Sequence, residues 1–172
     1  MFKIDYPKLY KKMSARPRLL AILKGAQIPL SVLVALVYLY YMALTVVFCD
    51  LPGILTAIAV SAAPFLAVSL IRVRLGGRRP FEVYELSAFG MTLPEHGGGR
   101  SFPSRHAFSA ALIGALILPD MFYVGIATLA LSLFISVSRV LAGIHFVRDV
   151  IAGEAIGLIC GAIGALCVTY LV

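Results

Sequence analysis

Apolar residues in this chain run in blocks far longer than the core-facing stripe of a surface helix. No charge falls within residues 26–48, and after the turn Cys49-Asp50-Leu51-Pro52 a second uncharged block fills residues 51–71. A helix needs about 20 apolar residues to cross the hydrocarbon core of a bilayer, and both blocks reach that length. A polar stretch rich in Arg and Gly occupies residues 72–102. Three more apolar blocks follow at 103–118, 121–137 and 150–172, the first of them short and bounded by Pro103 and Pro119. The pattern predicts an all-α, polytopic transmembrane helical bundle of about five spans.

Within that pattern the third block is rich in small residues (Ala107, Ser109, Ala110, Ala111, Gly114, Ala115), which let helices approach closely and place it inside the bundle. Gly153, Gly157, Gly161 and Gly164 put a similar packing seam on the last span. Residues 1–24 differ from both: seven Lys/Arg alternate with Phe2, Tyr6, Tyr10, Met13, Leu19, Leu20 and Ile22, the composition of a helix lying in the membrane interface. Gly25 and Pro29 punctuate the entry to the first span. The segment lacks the small-residue cleavage site of a secretory signal and does not resemble an Arg-rich transit peptide. The organisation expected is one integral membrane domain over 1–172, with a basic interfacial segment at 1–25 and the bundle at 26–172.

Composition agrees. The chain is 61% hydrophobic and 13% charged, with a mean hydropathy of +0.98, against roughly 25% charged in a soluble domain. So much apolar surface on 172 residues cannot be wrapped in a polar shell, which excludes disorder, a secreted disulfide scaffold and a cytosolic enzyme. Cys49, Cys160 and Cys167 show neither disulfide nor zinc spacing and read as small packing residues.

The net charge of +7 changes the picture more. Five spans send residues 1–25, the 72–102 stretch and the 138–149 turn to one face, and that face receives all fifteen Lys and Arg. The other face shows only Asp50 and Asp120. In so apolar a chain this asymmetry reads as membrane sidedness, anionic headgroups or a phosphate site rather than nucleic acid. The seven basic residues of 1–24 favour a cytosolic N-terminus, and with it a cytosolic basic face.

Three clusters on that face carry chemistry. In Arg72-Val-Arg-Leu-Gly-Gly-Arg-Arg79-Pro80, helical continuation would stack Arg72 and Arg79 two turns apart, as a clamp for one phosphate or as a basic membrane-edge anchor. Ser101-Phe-Pro103-Ser104-Arg105-His106 opens the third span. Its free N–H groups favour an anion beside Ser104, and His106 stands in the same turn as a potential acid; simple N-capping by Ser101 or Ser104 is the plainer reading. In Ser138-Arg139-Val-Leu-Ala-Gly-Ile-His145-Phe-Val-Arg-Asp149, helical continuation would place Asp149 one turn from His145, holding its tautomer and leaving the other ring nitrogen free to attack. The alternative, a helix-ending salt bridge, is a costly set to keep at a membrane boundary without a task.

Taken together, the motifs at 72–80, 103–106 and 138–149 make the chain resemble the type 2 phosphatidic acid phosphatase superfamily, membrane lipid phosphatases that share a helical core with bacterial acid phosphatases and vanadium haloperoxidases. Arg79-Pro80 stands at the family's spacing from Arg72; Pro103-Ser104-Arg105-His106 matches the second motif; Ser138-Arg139, His145 and Asp149 match the third in order and spacing. The resemblance implies His145 as nucleophile through a phosphohistidine, Asp149 as its orienting partner and His106 as proton donor to the leaving group. It implies Arg72, Arg79, Ser104, Arg105 and Arg139 as substrate-binding residues, with no metal and no cofactor. Two positions depart from the family pattern: Arg72 stands where Lys is usual and Arg105 where Gly is usual, and neither is a reacting group. The expected substrate is a lipid monophosphate or diphosphate (a polyprenyl diphosphate, phosphatidate, phosphatidylglycerophosphate or phosphorylated glycolipid), and the expected setting is a bacterial inner membrane. A phosphotransferase with the same histidine, and a non-catalytic anion-binding scaffold, are the rival readings. In the intervening loop, His96 reads as solvated, and Glu154 as a partner of Asp149 or an interfacial acid.

Overall fold

A computed structural model describes residues 4–49, 51–86 and 99–171. Among these residues the regular structure is all helical, without strands: α1 (Tyr6–Ser14), α2 (Pro17–Phe48), α3 (Leu51–Leu75), α4 (Pro80–Val83), α5 (Arg105–Ile117), α6 (Phe122–Leu141) and α7 (Val147–Leu171). His96 and most of the loop that joins the first two motifs lie outside the described residues, as does Asp50.

Four helices, α2, α3, α6 and α7, are long and apolar enough to cross a membrane. Their outward side chains confirm which solvent they meet. Leu36, Leu39, Leu55, Leu66, Leu133 and Ile159 are all exposed, a pattern that is stable only against lipid. The fifth expected span, α5, has only 13 residues, about 20 Å of helix, which is short of the hydrocarbon thickness. It is buried over ten of those residues, and an all-round apolar helix of this kind belongs inside a bundle. Because protein rather than lipid surrounds it, its length need not match the bilayer. From Arg105 at the site end it still reaches the opposite end of the bundle, where Asp120 accepts a hydrogen bond from Tyr41 near the close of α2.

The small-residue seams do what their composition implies. Gly153, Gly157 and Gly161 on α7 face the carbonyls of Ser104, Phe108 and Leu112 on α5 so closely that a Cβ at any of them would overlap backbone. Gly164 instead faces Val60 of α3 and Leu116. Around α5 the core gathers Val34 and Tyr41 of α2, Val68 of α3 and Ile135 of α6. Several polar groups inside the bundle are paired with one another. Tyr38 and Ser61 are bonded at 2.6 Å, and Ser132 and Ser136 both donate to Glu154, at 2.7 and 2.6 Å.

Two boundary expectations are corrected at the N-terminal side. Gly25 and Pro29 do not mark where the first span begins; α2 starts at Pro17 and runs 32 residues through both. Pro at the first helical position is pre-organised for a helix start, and an internal Pro is tolerated where neighbouring helices support the chain. At about 48 Å, α2 exceeds the hydrocarbon core, so its first turns, carrying Arg18 and Lys24, extend beyond it. The N-terminal segment does form a short helix, α1, capped by the Asp5 carboxylate accepting from the Lys8 N–H at 3.0 Å. Its apolar side, however, faces protein: Tyr10 and Met13 are buried against Leu20, Leu23, Leu86 and Ala142, while Lys8, Lys11 and Lys12 are exposed.

Candidate active site

All three motifs arrive at one end of the bundle, but not by helical continuation. α3 ends at Leu75, and Gly76, where any Cβ would overlap the Arg72 carbonyl and the Arg100 backbone, lets the chain turn. Arg79 is therefore not two helical turns beyond Arg72. It precedes α4, whose start is set by Pro80 at the first helical position and by Glu82 reaching back to the Arg79 N–H at 2.6 Å. Glu82 also accepts from the Gly99 N–H, at 2.9 and 3.0 Å, and Arg79 Nε donates to the Gly99 carbonyl at 3.2 Å. The turn thus does what the helix was expected to do: it brings Arg79 within electrostatic reach of Arg72 and Arg105.

Gly143 makes the equivalent correction in the third motif. With φ +73° it occupies the left-handed position that ends a helix. The N–H groups of Gly143 and Ile144 donate to the carbonyls of Val140 and Arg139, at 3.1 and 3.0 Å, which together close α6. His145 consequently lies in the α6–α7 connection, not on a helix, and helical stacking does not pair it with Asp149. Their pairing comes from the cap of α7. Asp149 sits in the first turn of α7 and its Oδ2 accepts from the Phe146 N–H at 3.0 Å. That places Oδ2 at 3.8 Å from His145 Nδ1.

At 3.8 Å the pair attracts but is too long for a hydrogen bond. Ser101 fills the interval. Its hydroxyl donates to Asp149 Oδ2 at 2.5 Å and lies 3.4 Å from His145 Nδ1. Nδ1 thus faces Ser101 and Asp149, leaving Nε2 as the nitrogen free for chemistry. His145, Asp149 and Ser101 are all buried. Burial holds the His145 imidazole below the ordinary histidine range; Asp149 opposes the shift, and Arg139 and Arg79 add to it. The shift favours the unprotonated, nucleophilic form of the ring.

The second motif supplies the opposite wall. Ser104 precedes α5, and its N–H donates to the Asp149 carbonyl at 2.9 Å, tying the two motifs together. Arg105 and His106 form the exposed first turn of α5, whose leading N–H groups have no partner within the helix. Arg105 has ordinary helical geometry, so this backbone position does not require glycine. His106 lies within electrostatic reach of Arg139, His145, Arg105 and Arg72. Arg72 donates from Nη1 to the Pro103 carbonyl at 2.7 Å, which locks the first motif to the second. Arg139, in the last turn of α6, is buried near Arg72 and Arg79. Ser104 Oγ and Arg139 Nε are buried without a hydrogen-bond partner among the described residues. The residues expected to react with or bind the substrate (His145, His106, Asp149, Arg72, Arg79, Ser104, Arg105 and Arg139) are thus brought to one end of the bundle.

Two residues in the site escaped the sequence reading. Ser101 had been noted only as a possible cap, because its role depends on a fold that returns residue 149 beside residue 101. Glu82 had a legible signal: Pro80 followed by an acid at the third helical position is a helix-start signature. Glu154, by contrast, is engaged by Ser132 and Ser136 rather than by Asp149.

From Arg105 and His106 a cavity of about 320 Å³ leads away between the helices, lined by Ser31, Val34, Phe65 and Ile135. A second of similar volume shares Ala35, Phe65, Ser109 and Ile113 with it and extends to Tyr38 and Ser61. The walls of both are largely apolar.

The family model described as the PAP2 superfamily matches residues 34–172. The chain belongs to that superfamily. Lipid A 1-phosphatase of Rhizobium etli is 34% identical over 98 residues, covering 54% of this chain and 40% of the relative. The matched region therefore spans well under half the length of that curated relative. Among solved structures, LpxE of Aquifex aeolicus superposes with a TM-score of 0.65 at 22% identity, covering 91% of this chain and 92% of that one. The first transmembrane PAP2-type phosphatidylglycerolphosphate phosphatase from Bacillus subtilis follows, with a TM-score of 0.62 at 20% identity over 92% and 83% of the two chains. At such identities these two structures establish a shared fold.

Proposed function

We propose that this PAP2 superfamily member is a lipid phosphatase that removes a terminal phosphate from a lipid monophosphate or diphosphate through a phosphohistidine on His145. The observation that carries the reading is convergence. A buried histidine, oriented on one nitrogen, faces a wall of arginines beside two buried donors with no partner among the described residues. Unsatisfied buried donors are costly, and a phosphoryl group supplies the acceptor oxygens that Ser104 Oγ and Arg139 Nε lack.

The chemistry follows from the placement. Nε2 of His145 attacks phosphorus, an N–P bond forms as the bond to the leaving oxygen breaks, and His106, which takes up a proton when the phosphate anion binds beside it and offsets the surrounding arginines, gives that oxygen its proton. Arg72, Arg79, Arg139 and the first turn of α5 hold the equatorial oxygens where negative charge accumulates. Water, deprotonated by His106 in the second half, then attacks phosphorus, releases inorganic phosphate and restores His145. Asp149 stabilises the imidazolium character that develops in the first half, with Ser101 holding the carboxylate in place. Arg105, exposed at the cavity mouth, meets the substrate outside the transferred group.

An apolar path beginning at His106 and Arg105 favours a phosphate carried on a hydrocarbon tail over a soluble ester. Tail and headgroup can then be bound together, the tail between helices and the phosphate at the basic end. The lipid phosphatases among the relatives support the same class.

The test is phosphate release from a panel of polyprenyl diphosphate, phosphatidate, phosphatidylglycerophosphate and lipid A phosphate, with a soluble phosphomonoester as reference and excess chelator throughout. Purified protein should release phosphate from at least one lipid and barely from the soluble ester. His145→Ala should lower the rate by at least about 10⁴-fold, as loss of a nucleophile does, and acid-labile phosphate should be trapped on the unaltered protein alone. A His145→Ala protein as active as its parent, or activity abolished by chelator, would sink the mechanism.

A further inference from the structure

The third motif is held in place by a part of the chain that lies outside all three motifs. α1 sets its buried face over the connection that carries His145. The ring of Tyr6 meets Phe146, the residue following the histidine, edge-on at 5.1 Å, and Tyr84 beside α4 meets the same ring at 6.4 Å. Tyr6 also stacks on Tyr84 and Tyr10, at 5.9 and 6.0 Å, so four rings form one block against the α6–α7 connection. One polar contact stands out in this block. The Val147 N–H, the first of α7, donates to the Tyr6 hydroxyl oxygen at 3.2 Å across 141 positions of sequence.

That contact has a consequence for the nucleophile. The leading N–H groups of a helix have no partner within the helix, and in α7 the capping is divided. Asp149 Oδ2 takes the Phe146 N–H, and the Tyr6 hydroxyl takes the Val147 N–H. The same Asp149 oxygen receives Ser101 and faces His145. Without the Tyr6 hydroxyl, the Val147 N–H loses the acceptor it has among the described residues, and the carboxylate in the same first turn of α7 is that of Asp149. Redirecting Asp149 towards Val147 would draw it from Ser101 and His145.

We infer that Tyr6 is a positioning residue for His145: α1 clamps the catalytic connection, and the Tyr6 hydroxyl keeps Asp149 committed to the histidine by taking a share of the α7 cap. The inference rests on His145 as nucleophile for its kinetic consequence, and on geometry alone for its structural one. Tyr10 supplies an internal contrast. It lies on the same face of α1 and in the same ring block, yet its buried hydroxyl has no hydrogen-bond partner among the described residues.

The experiment compares the full chain with Tyr6→Phe and Tyr10→Phe, each purified in detergent and matched for melting temperature. Tyr6→Phe keeps the ring and loses only the acceptor. It should lower kcat about tenfold, as small misplacements of a reacting group do, with KM changed less than about twofold. Amide hydrogen exchange over residues 144–149 should quicken roughly fivefold, the effect of losing one hydrogen bond, with no change in α5. Tyr10→Phe should leave both readouts at the parental level. A Tyr6→Phe protein with parental exchange over 144–149, or with faster exchange and unchanged kcat, overturns the clamp. So does an equal loss in Tyr10→Phe, which would make the effect one of packing. If the parent releases no phosphate from any lipid, the catalytic reading fails by itself, and the exchange comparison alone then upholds or overturns the clamp.

Discussion

Ser101 shows how much one hydroxyl can decide at a site. The His145–Asp149 separation of 3.8 Å leaves the carboxylate able to attract the imidazole but not to fix it. Ser101, donating to Asp149 Oδ2 at 2.5 Å, holds that oxygen on the histidine side. Ser101→Ala would remove this bond while preserving the buried volume almost unchanged. Once substrate and assay are established, kcat should fall about tenfold with KM nearly constant, since the loss concerns charge developing on His145 and not phosphate binding. A Ser101→Ala protein with altered KM and intact kcat would place Ser101 on the substrate instead.

At the scale of elements, the α5–α7 pair governs the geometry of the site. α5 presents Ser104, Arg105 and His106 from its first turn, and α7 presents Asp149 from its own. The two helices approach closely because Gly153, Gly157 and Gly161 put no side chain between them and the α5 backbone. Gly157 stands against the Phe108 carbonyl and Ala111, where backbone cannot yield as a flexible side chain would. Gly157→Ala should therefore cost about 1–3 kcal/mol, read as a lower melting temperature in detergent, and should reduce activity by parting the two first turns. A melting temperature equal to the parent's would mean that the seam is looser than the structure has it. The same logic explains why short α5 works: its neighbours, not lipid, surround it.

On the scale of the whole molecule, the basic residues and the site share one end. Tyr6 of α1 touches Phe146 and Val147, so the N-terminal helix and the connection that carries His145 lie on the same side of the bundle. The Lys/Arg of residues 1–24 then carry the sidedness signal for both, and they favour the cytosol. In a background with Cys49, Cys160 and Cys167 replaced, reporter cysteines at Lys11 and Glu85 should label together, and only after the cells are opened to a membrane-impermeant reagent. Labelling of both from outside would reverse the orientation while keeping the shared face. Labelling of only one in intact cells would contradict the packing of α1 on the site.

Solvent, class of fold and family were all legible in the order of the residues. Long uncharged blocks have no stable place in water, and the spacing Arg79-Pro80, Pro103-Ser104-Arg105-His106 and Ser138-Arg139 to Asp149 carries the family resemblance with its reacting groups. Composition also placed the small-residue helix inside the bundle. Tertiary structure decided how these groups meet. A periodicity argument extends a helix wherever nothing interrupts it, so it stacked Arg72 on Arg79 and His145 on Asp149. Gly76 and Gly143 end those helices instead, and caps and turns bring the same residues together by another route. The direction faced by α1 was likewise settled only by packing. An amphipathic helix buries its apolar side against whichever apolar surface is at hand, and folding supplied Tyr84, Leu86, Ala142 and Phe146 in place of lipid. Ser101 and Tyr6 gained their roles for the same reason: each is defined by a partner more than 40 positions away, at a distance that only the folded chain sets.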